Sequence, residues 1–173
     1  MTQGAARIRR ATPSDAEAMA RVHVESWRRT YRGVMRDEVL DDPGFIARRE
    51  AFWTAVLTED RFALNRIAVA EAAVGDTAEL VGIAMAGPAI EHHAEVQLYV
   101  LYLLDEHHGS GTGNDLLAAV VAPHESATLW VADPNPRAQA FYRKHGFVPD
   151  GAVQVDDGVR ELRLVRSGTD RHD

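Results

Sequence analysis

Hydrophobic and polar positions near the start of the chain predict a short strand followed by helices. Ile8 lies in a strand-like segment, and Ser14 and Glu17 have the spacing of a capping box that starts a helix. That helix carries an apolar stripe at helical spacing to about Arg29. After a break at Gly33, we predict a short helical turn over residues 36–41 and a second amphipathic helix from Pro43.

The period of the apolar positions changes after Arg61 and predicts a sheet with two more helices. Residues 95–104 are the most strand-like segment, because they become apolar on both faces as a central strand requires. Asp156-Asp157-Gly158 is a turn signal that predicts a final hairpin. The remaining elements are expected as strands at 67–70, 80–86, 127–132, 148–155 and 159–165 and as helices at 111–122 and 135–145. This order predicts an α+β fold in which helices pack on a largely antiparallel sheet.

Length and composition restrict the class of protein. The 173 residues are 46% hydrophobic and 26% charged, which predicts one globular domain, over residues 1–166, and a loose polar tail over 167–173. The net charge of −7 argues against a nucleic-acid partner. Apolar stretches stay far below the ~18 residues of a membrane span, and the N-terminus lacks the apolar core of a secretory signal. We therefore expect a cytoplasmic protein with no membrane partner.

Several familiar chemistries are absent from the sequence. There is no cysteine, which removes disulfides, thiolate metal sites and a cysteine nucleophile. The pairs His92-His93 and His107-His108 lack the spacing of metal ligands, so no metal is expected. Gly109-Ser110-Gly111 lacks the pattern of a hydrolase nucleophile elbow.

A glycine-rich segment, His108–Gly113, joins the central strand to a helix. Glycines let the backbone approach a ligand and point several N–H groups at one spot, and a helix start favours an anion such as a phosphate. A tight turn without a ligand is the alternative. A dinucleotide fingerprint fails, because Asn114 or Leu116 stands where its last glycine is required, and a P-loop is also absent.

The turn fits the x-x-G-x-G/A pattern of the GNAT superfamily of acyl-CoA-dependent N-acyltransferases, which the chain resembles over nearly its whole length. Further blocks carry the resemblance: Leu101–Glu106, Leu116-Leu117, Leu129–Val131, Asn135–Ala138 and Phe141–Phe147. Two signature blocks in the right order, separated by one strand, are more specific than either alone. The match departs at His108, where arginine or glutamine is usual, and at Ser110, where a basic residue is common.

The resemblance implies a fold and an activity. The GNAT fold is a mixed, mostly antiparallel sheet of six to seven strands flanked by about four helices. The activity is acetyl-CoA-dependent transfer of an acetyl group to a primary amine, of a small molecule or a protein N-terminus, by direct attack in a ternary complex. A non-catalytic acyl-CoA-binding or sensor module, or a transferase of a longer acyl group, is the alternative. A homodimer is also possible.

The resemblance also assigns a coenzyme A site. The backbone of Leu103, Leu104 and Asp105 pairs with the pantetheine arm, because the fourth strand splays from the fifth and leaves backbone groups unpaired. Asn135 caps a helix and bonds the arm, and Ala138 belongs to the same block. Main-chain N–H groups cradle the pyrophosphate at His108, Gly109, Ser110, Gly111, Thr112 and Gly113.

The chemistry requires a base, an oxyanion donor and an acid. A lysine-like amine is about 99.9% protonated at pH 7, so a base must take its proton. Glu95 is the first candidate, thirteen residues before His108, with an exposed strand-start glutamate as the alternative. Gln97 shares its strand face and positions a water. The N–H of Leu103 would meet the oxyanion, and Tyr142 would protonate the sulfur.

The acceptor is expected beside the first two helices. The resemblance places Glu25, Trp27 and Tyr31 near the substrate, while Phe52 and Trp53 with the other aromatics form core and wall. The acidic surface favours a cationic acceptor.

Overall fold

The computed structural model describes residues 5–91 and 94–169. Its strands, in chain order, are β1 (Arg7–Arg10), β2 (Arg66–Val74), β3 (Thr77–Pro88), β4 (Val96–Leu103), β5 (Ala127–Ala132), β6 (Val148–Asp156) and β7 (Val159–Arg166). Its helices are α1 (Ala16–Tyr31), α2 (Asp37–Leu40), α3 (Phe45–Thr58), α4 (Thr112–Val120) and α5 (Pro136–Lys144). The predicted α+β order is confirmed, with one very short helix, α2, beside the four longer ones.

All seven strands form one sheet in the order β1-β2-β3-β4-β5-β7-β6. Every neighbouring pair is antiparallel except β4 and β5, which are parallel. The expected mixed, mostly antiparallel sheet is therefore confirmed. Strand β7 lies between β5 and β6, so the final hairpin returns next to the centre of the sheet.

Helices cover both faces of the sheet. Alternate residues of β2 point to opposite faces, so Val69 packs with Met19 of α1 and Trp53 of α3, while Ala70 packs with Leu116 of α4. These five residues are essentially without solvent exposure. The two apolar layers hold the sheet rigid between them, and the parallel pair β4–β5 lies at its centre.

Two turns show how the sequence sets local structure. The β6–β7 turn has a positive φ at both central residues, 46° at Asp157 and 80° at Gly158, as a tight two-residue hairpin requires. The capping box before α1 differs from the predicted pair Ser14 and Glu17. Instead the N–H of Thr12 donates to Asp15 Oδ2 at 2.7 Å, because Pro13–Asp15 first forms a single 3₁₀ turn.

The described part of the polar tail is attached to the loop between α4 and β5. The N–H of Thr169 donates to the carbonyl of His124 at 3.0 Å. The rest of the predicted loose tail, residues 170–173, lies outside the described residues. None of the described helices combines the length and apolar character that a transmembrane helix needs.

Candidate active site

A cleft opens at the centre of the sheet because β4 and β5 pair over only part of their length. The parallel register joins Val96–Leu98 to Ala127–Leu129 and stops there, although β4 continues to Leu103 and β5 to Ala132. The strands separate beyond this point around a cavity of about 590 Å³. The expected splay of the fourth strand from the fifth is confirmed.

Backbone groups at the end of β4 face this cleft. The N–H of Leu104 donates to the carbonyl of Val81 in β3 at 2.9 Å. Because successive residues of a strand direct their backbone groups to opposite sides, the N–H and carbonyl of Leu103 point away from β3. The Leu103 carbonyl accepts a hydrogen bond from His108 Nε2 at 2.8 Å. The N–H of Leu103 therefore faces the cleft, next to the end of β4.

The glycine-rich turn after β4 offers main-chain donors. Gly109 and Gly111 have φ values of 77° and 89°, and nothing lies within 4 Å of a Cβ placed on either. Within the described part of the chain, the N–H groups of Gly109, Gly111 and Gly113 meet no hydrogen-bond acceptor. The side chains of Ser110 and Thr112 bond each other at 2.8 Å and brace the turn from behind. The turn is thus open and rich in unpaired donors.

Helix α5 contributes three of the predicted residues to the cleft. Asn135 caps the helix by accepting from the N–H of Ala138 at 3.2 Å, and both residues line the cavity. Tyr142, one turn further on, also lines it and is only 9% exposed. Its hydroxyl has no hydrogen-bond partner among the described residues. Burial, and secondarily Tyr102, raises the pKa of Tyr142, so the hydroxyl keeps its proton and remains a donor.

Basic side chains surround the turn end of the cleft, which is the end beside His108–Gly113. Arg137 and Lys144 of α5 both line the cavity. Asp105 partly offsets them, since its Oδ1 lies 3.5 Å from Arg137 Nη2 and 3.5 Å from His108 Nδ1. Unpaired N–H groups, nearby cations and an exposed strand edge fit a ligand with a diphosphate and an amide-bearing arm, as coenzyme A has.

The opposite end of the cleft, which we call the hairpin end, has different chemistry. It is formed by Ser26, Thr30 and Tyr31 of α1 and by Gln154, Asp156 and Glu161 of the β6–β7 hairpin. The Gln154 amide donates to Glu161 Oε2 at 2.7 Å. Burial raises the pKa of Glu161, Asp156 raises it further, and the Gln154 bond opposes the rise. Burial likewise raises the pKa of Tyr31.

The sequence predicted Tyr31 near the acceptor but did not predict the other residues of the hairpin end. The alternation of β7 puts Glu161 on the same strand face as the buried Val159, which was the one available signal. Its place beside the cleft follows only from the pairing of β7 with β5, where Glu161 stands opposite Ala132. That pairing joins segments far apart in the sequence.

Glu95 does not reach the cleft. It precedes β4, whose eight residues at ~3.3 Å each put about 26 Å between it and Leu103. Its carboxylate accepts from the N–H of Ser126 at 2.8 Å, and its own N–H donates to Ser126 Oγ at 2.9 Å. Glu95 therefore ties together the paired ends of β4 and β5. Gln97, which was predicted beside it, does line the cavity.

Two predicted acceptor residues also lie outside the cavity lining. Glu25 forms an ion pair with Arg29 at 2.9 Å on the outer surface of α1. Trp27 donates from Nε1 to the Tyr102 hydroxyl at 2.8 Å. Because Tyr102 itself lines the cleft, Trp27 supports the wall from behind.

The remaining predicted residues are arranged as follows. Leu103, Asp105, His108, Gly109, Gly111 and Gly113 line the cleft, whereas Leu104, Ser110 and Thr112 do not. Over the described residues, no group of three or more His, Asp or Glu side chains has the arrangement of a metal site. His92 and His93 fall outside that range.

The splayed parallel pair, the glycine-rich turn and the flanking helices define an acyltransferase-type α+β fold. Comparison with known families identifies it: the pattern of the acetyltransferase (GNAT) domain matches residues 49–149. The chain belongs to the GNAT acetyltransferase family.

Relatives and solved structures agree with this assignment. A probable N-acetyltransferase of Mycobacterium tuberculosis is 30% identical over 149 residues, covering 84% of this chain and 81% of the relative. An uncharacterized N-acetyltransferase of Bacillus subtilis, YuaI, is 26% identical over 168 residues, covering 93% and 90%. The structure of PaiA N-acetyltransferase from Thermoplasma acidophilum, in complex with coenzyme A, superposes with a TM-score of 0.67 at 20% identity, covering 91% and 97%. This last likeness shows the fold.

Proposed function

We propose that the chain is an acetyl-CoA-dependent N-acetyltransferase that acts on a primary amine by direct attack in a ternary complex. The observation that carries the proposal is the gap between β4 and β5, which ends at a turn with three unpaired N–H groups. The related fold of PaiA N-acetyltransferase was solved with coenzyme A. Family membership and this geometry together support coenzyme A as the donor's carrier.

The donor site follows from the backbone. The N–H groups of Gly109, Gly111 and Gly113 would hold the diphosphate, with Arg137 and Lys144 nearby as cations. The cleft-facing edge of β4 would pair with the amide-bearing arm, which supplies the thioester. This assignment requires little from side chains, so the unusual His108 is compatible with it. His108 instead fixes the Leu103 carbonyl.

Two groups would assist the transfer. The N–H of Leu103 faces the cleft and would stabilise the developing oxyanion, a contribution of about 3–4 kcal/mol in comparable sites. Tyr142 would donate its hydroxyl proton to the departing sulfur. The sequence contains no cysteine, so an acyl-cysteine intermediate on the enzyme is excluded and the amine attacks directly. We also propose a cytoplasmic location, which cell fractionation tests.

A thermal-shift assay with acetyl-CoA, followed by thiol release over a panel of amines, tests the proposal. A ligand at 100 times its Kd stabilises the folded state by about 2.7 kcal/mol, which gives a clear rise in Tm. Competition with longer acyl-CoA donors tests the length of the acyl group. A rise in Tm without turnover of any amine would favour an acyl-CoA sensor.

Gly111→Ala and Gly75→Ala form a matched pair of variants. Both glycines have positive φ, 89° and 62°, and both have open space at the Cβ position, but Gly75 lies in the β2–β3 turn. Each alanine strains the backbone by about 1–2 kcal/mol. We expect Gly111→Ala to weaken acetyl-CoA binding about tenfold and Gly75→Ala to leave the Kd unchanged. Equal Kd values for both variants would contradict the diphosphate assignment.

A further inference from the structure

The hairpin end of the cleft holds two carboxylates without a cation to neutralise them. Glu161 accepts only the neutral Gln154 amide, and Asp156 at the exposed tip of β6 forms no ion pair within the described residues. The three arginines of β7 are engaged elsewhere: Arg160 pairs with Asp133, Arg163 pairs with Asp150, and Arg166 donates to the carbonyls of Ala122 and Glu125. A cationic ligand would therefore find uncompensated negative charge there.

The facing wall of the cleft carries a polar group that also lacks a partner. Ser26 of α1 lines the cavity, is only 7% exposed, and its Oγ is buried without a hydrogen bond among the described residues. Leaving such a hydroxyl unsatisfied is unfavourable, because it has lost its hydrogen bonds to water without gaining others. Thr30 and Tyr31 stand on the same helix and add further hydroxyls. A ligand bearing N–H donors would satisfy both walls.

The surroundings of Glu161 suit it to exchange a proton. The titratable groups that face it are Asp156 from β6, Tyr31 from α1 and Tyr102 from β4. Its β5 neighbour in the register is the uncharged Ala132. Burial raises the pKa of Glu161 towards the working pH, where a carboxylate is a better base.

We propose that Glu161 binds the ammonium group of the acceptor and takes its proton. Asp156 makes the site favour acceptors that carry a second, cationic group at the end remote from the reacting amine over acceptors that carry an anionic group there. This inference rests on the proposed function and names its acceptor class, a protonated aliphatic primary amine. Tyr31 interacts electrostatically with both Glu161 and Tyr142, so the proposed base and the proposed acid border the same part of the cleft.

The proton and electron balance is complete with these residues. The ammonium transfers one proton to the Glu161 carboxylate, and the freed lone pair forms the N–C bond to the thioester carbonyl carbon. The C–S bond breaks, and the sulfur takes the hydroxyl proton of Tyr142. Tyr142 regains a proton from the nitrogen that has become the amide. Glu161 returns its proton to water when the product leaves.

Glu161→Gln tests the base, with Glu79→Gln as the matched control, because Glu79 is an exposed strand glutamate on β3 far along the sheet. We expect Glu161→Gln to lower kcat about 100-fold and to remove the acidic limb of the kcat–pH profile. In the wild type, the midpoint of that acidic limb should lie at a pH above the ordinary pKa range of a glutamate. Calorimetric titration of 1,4-diaminobutane onto the coenzyme A complex gives a readout apart from turnover. Glu161→Gln should weaken binding of the diamine, whereas Glu79→Gln should not.

Three amines of similar length test the acceptor class. 1,4-Diaminobutane, n-butylamine and 4-aminobutyrate differ in the charge of the far end, and we expect kcat/KM to fall in that order. Asp156→Asn should reduce the ratio of kcat/KM between successive amines by about threefold at each step, through KM rather than kcat.

The outcomes separate this inference from the proposed function. If acetyl-CoA does not raise the Tm of the wild type, the proposed function fails. If it does, the inference is overturned by wild-type kcat and pH profile in Glu161→Gln, by a preference for 4-aminobutyrate, or by no turnover of the three amines. Unchanged acetyl-CoA binding in Glu161→Gln, together with lost turnover, supports it.

Discussion

The two ends of the cleft are built from different parts of the polypeptide. At the turn end the donors are backbone N–H groups, held by positive φ at Gly109 and Gly111. At the hairpin end the ligand would meet side chains, with Glu161 on one wall and Ser26 on the other. Backbone donors can serve any sequence that keeps the turn, whereas side chains change with each substitution. A turn of backbone donors therefore suits a ligand that a whole family shares, and a wall of side chains suits the acceptor proposed for this protein.

A loss of kcat as large as that expected for Glu161→Gln is predicted at Tyr142, which lines the same cavity. Tyr142→Phe removes the only group we place beside the sulfur, so kcat should fall about 100-fold. Stability should change little, because the hydroxyl has no hydrogen-bond partner in the described structure. Steady-state kinetics and the acetyl-CoA thermal shift measure both. A kcat within threefold of the wild type would show that the two ends work without this acid.

A second prediction concerns the wall behind the hairpin end, which rests on His23. This residue is 3% exposed, accepts from Trp53 Nε1 at 3.2 Å and contacts the Tyr102 ring. Burial, with a contribution from Arg49, lowers the pKa of His23 to about 3, so it folds as the neutral imidazole.

The sign of the pH dependence follows from this. Below about pH 6.5, His23 binds a proton in the unfolded chain but stays neutral in the folded chain. The free energy of unfolding that is present above pH 6.5 is therefore lost as the pH falls. By pH 5 the loss is about 2 kcal/mol. Urea unfolding at pH 7 and pH 5 measures it, with His23→Gln as the variant that lacks the titrating group. The same pH dependence in both proteins would assign the effect to other residues.

The smallest effect on turnover is expected at Glu95, outside both ends. Glu95→Gln removes the charge from the carboxylate that accepts the Ser126 N–H, which weakens the link between the start of β4 and the start of β5, so the Tm should fall by a few degrees. The kcat should stay within about threefold of the wild type, since ~26 Å separates Glu95 from Leu103. A 100-fold loss here, with none in Glu161→Gln, would return the role of base to Glu95.

The sequence predicted most of the fold and the turn end of the site. The helix and strand bounds agree to within a few residues, and the turn His108–Gly113, the cap at Asn135 and the buried Tyr142 are where local pattern puts them. These features depend on neighbouring residues, namely apolar period, glycine spacing and cap chemistry. Local rules of this kind can be read without knowing the sheet order.

The hairpin end could not be predicted in this way. Glu161 borders the cleft only because β7 inserts between β5 and β6, and Tyr102 is held by Trp27 of a distant helix. For Glu95 the predicted strand position was nearly right, but its spacing from His108 did not reveal at which end of β4 the strands separate. Contacts between remote segments decide all three cases.

The cleft-facing edge of β4 presents main-chain N–H groups, which bears on which substitutions the donor site tolerates. Every amino acid except proline supplies an amide N–H, so a substitution at Leu101 or Leu103 changes how the side chain packs on the core but keeps the same donor. Proline at Leu103 would delete the donor that faces the cleft. Leu103→Pro should therefore weaken acetyl-CoA binding beyond its cost in stability, whereas Leu103→Val should keep the donor and lose only packing.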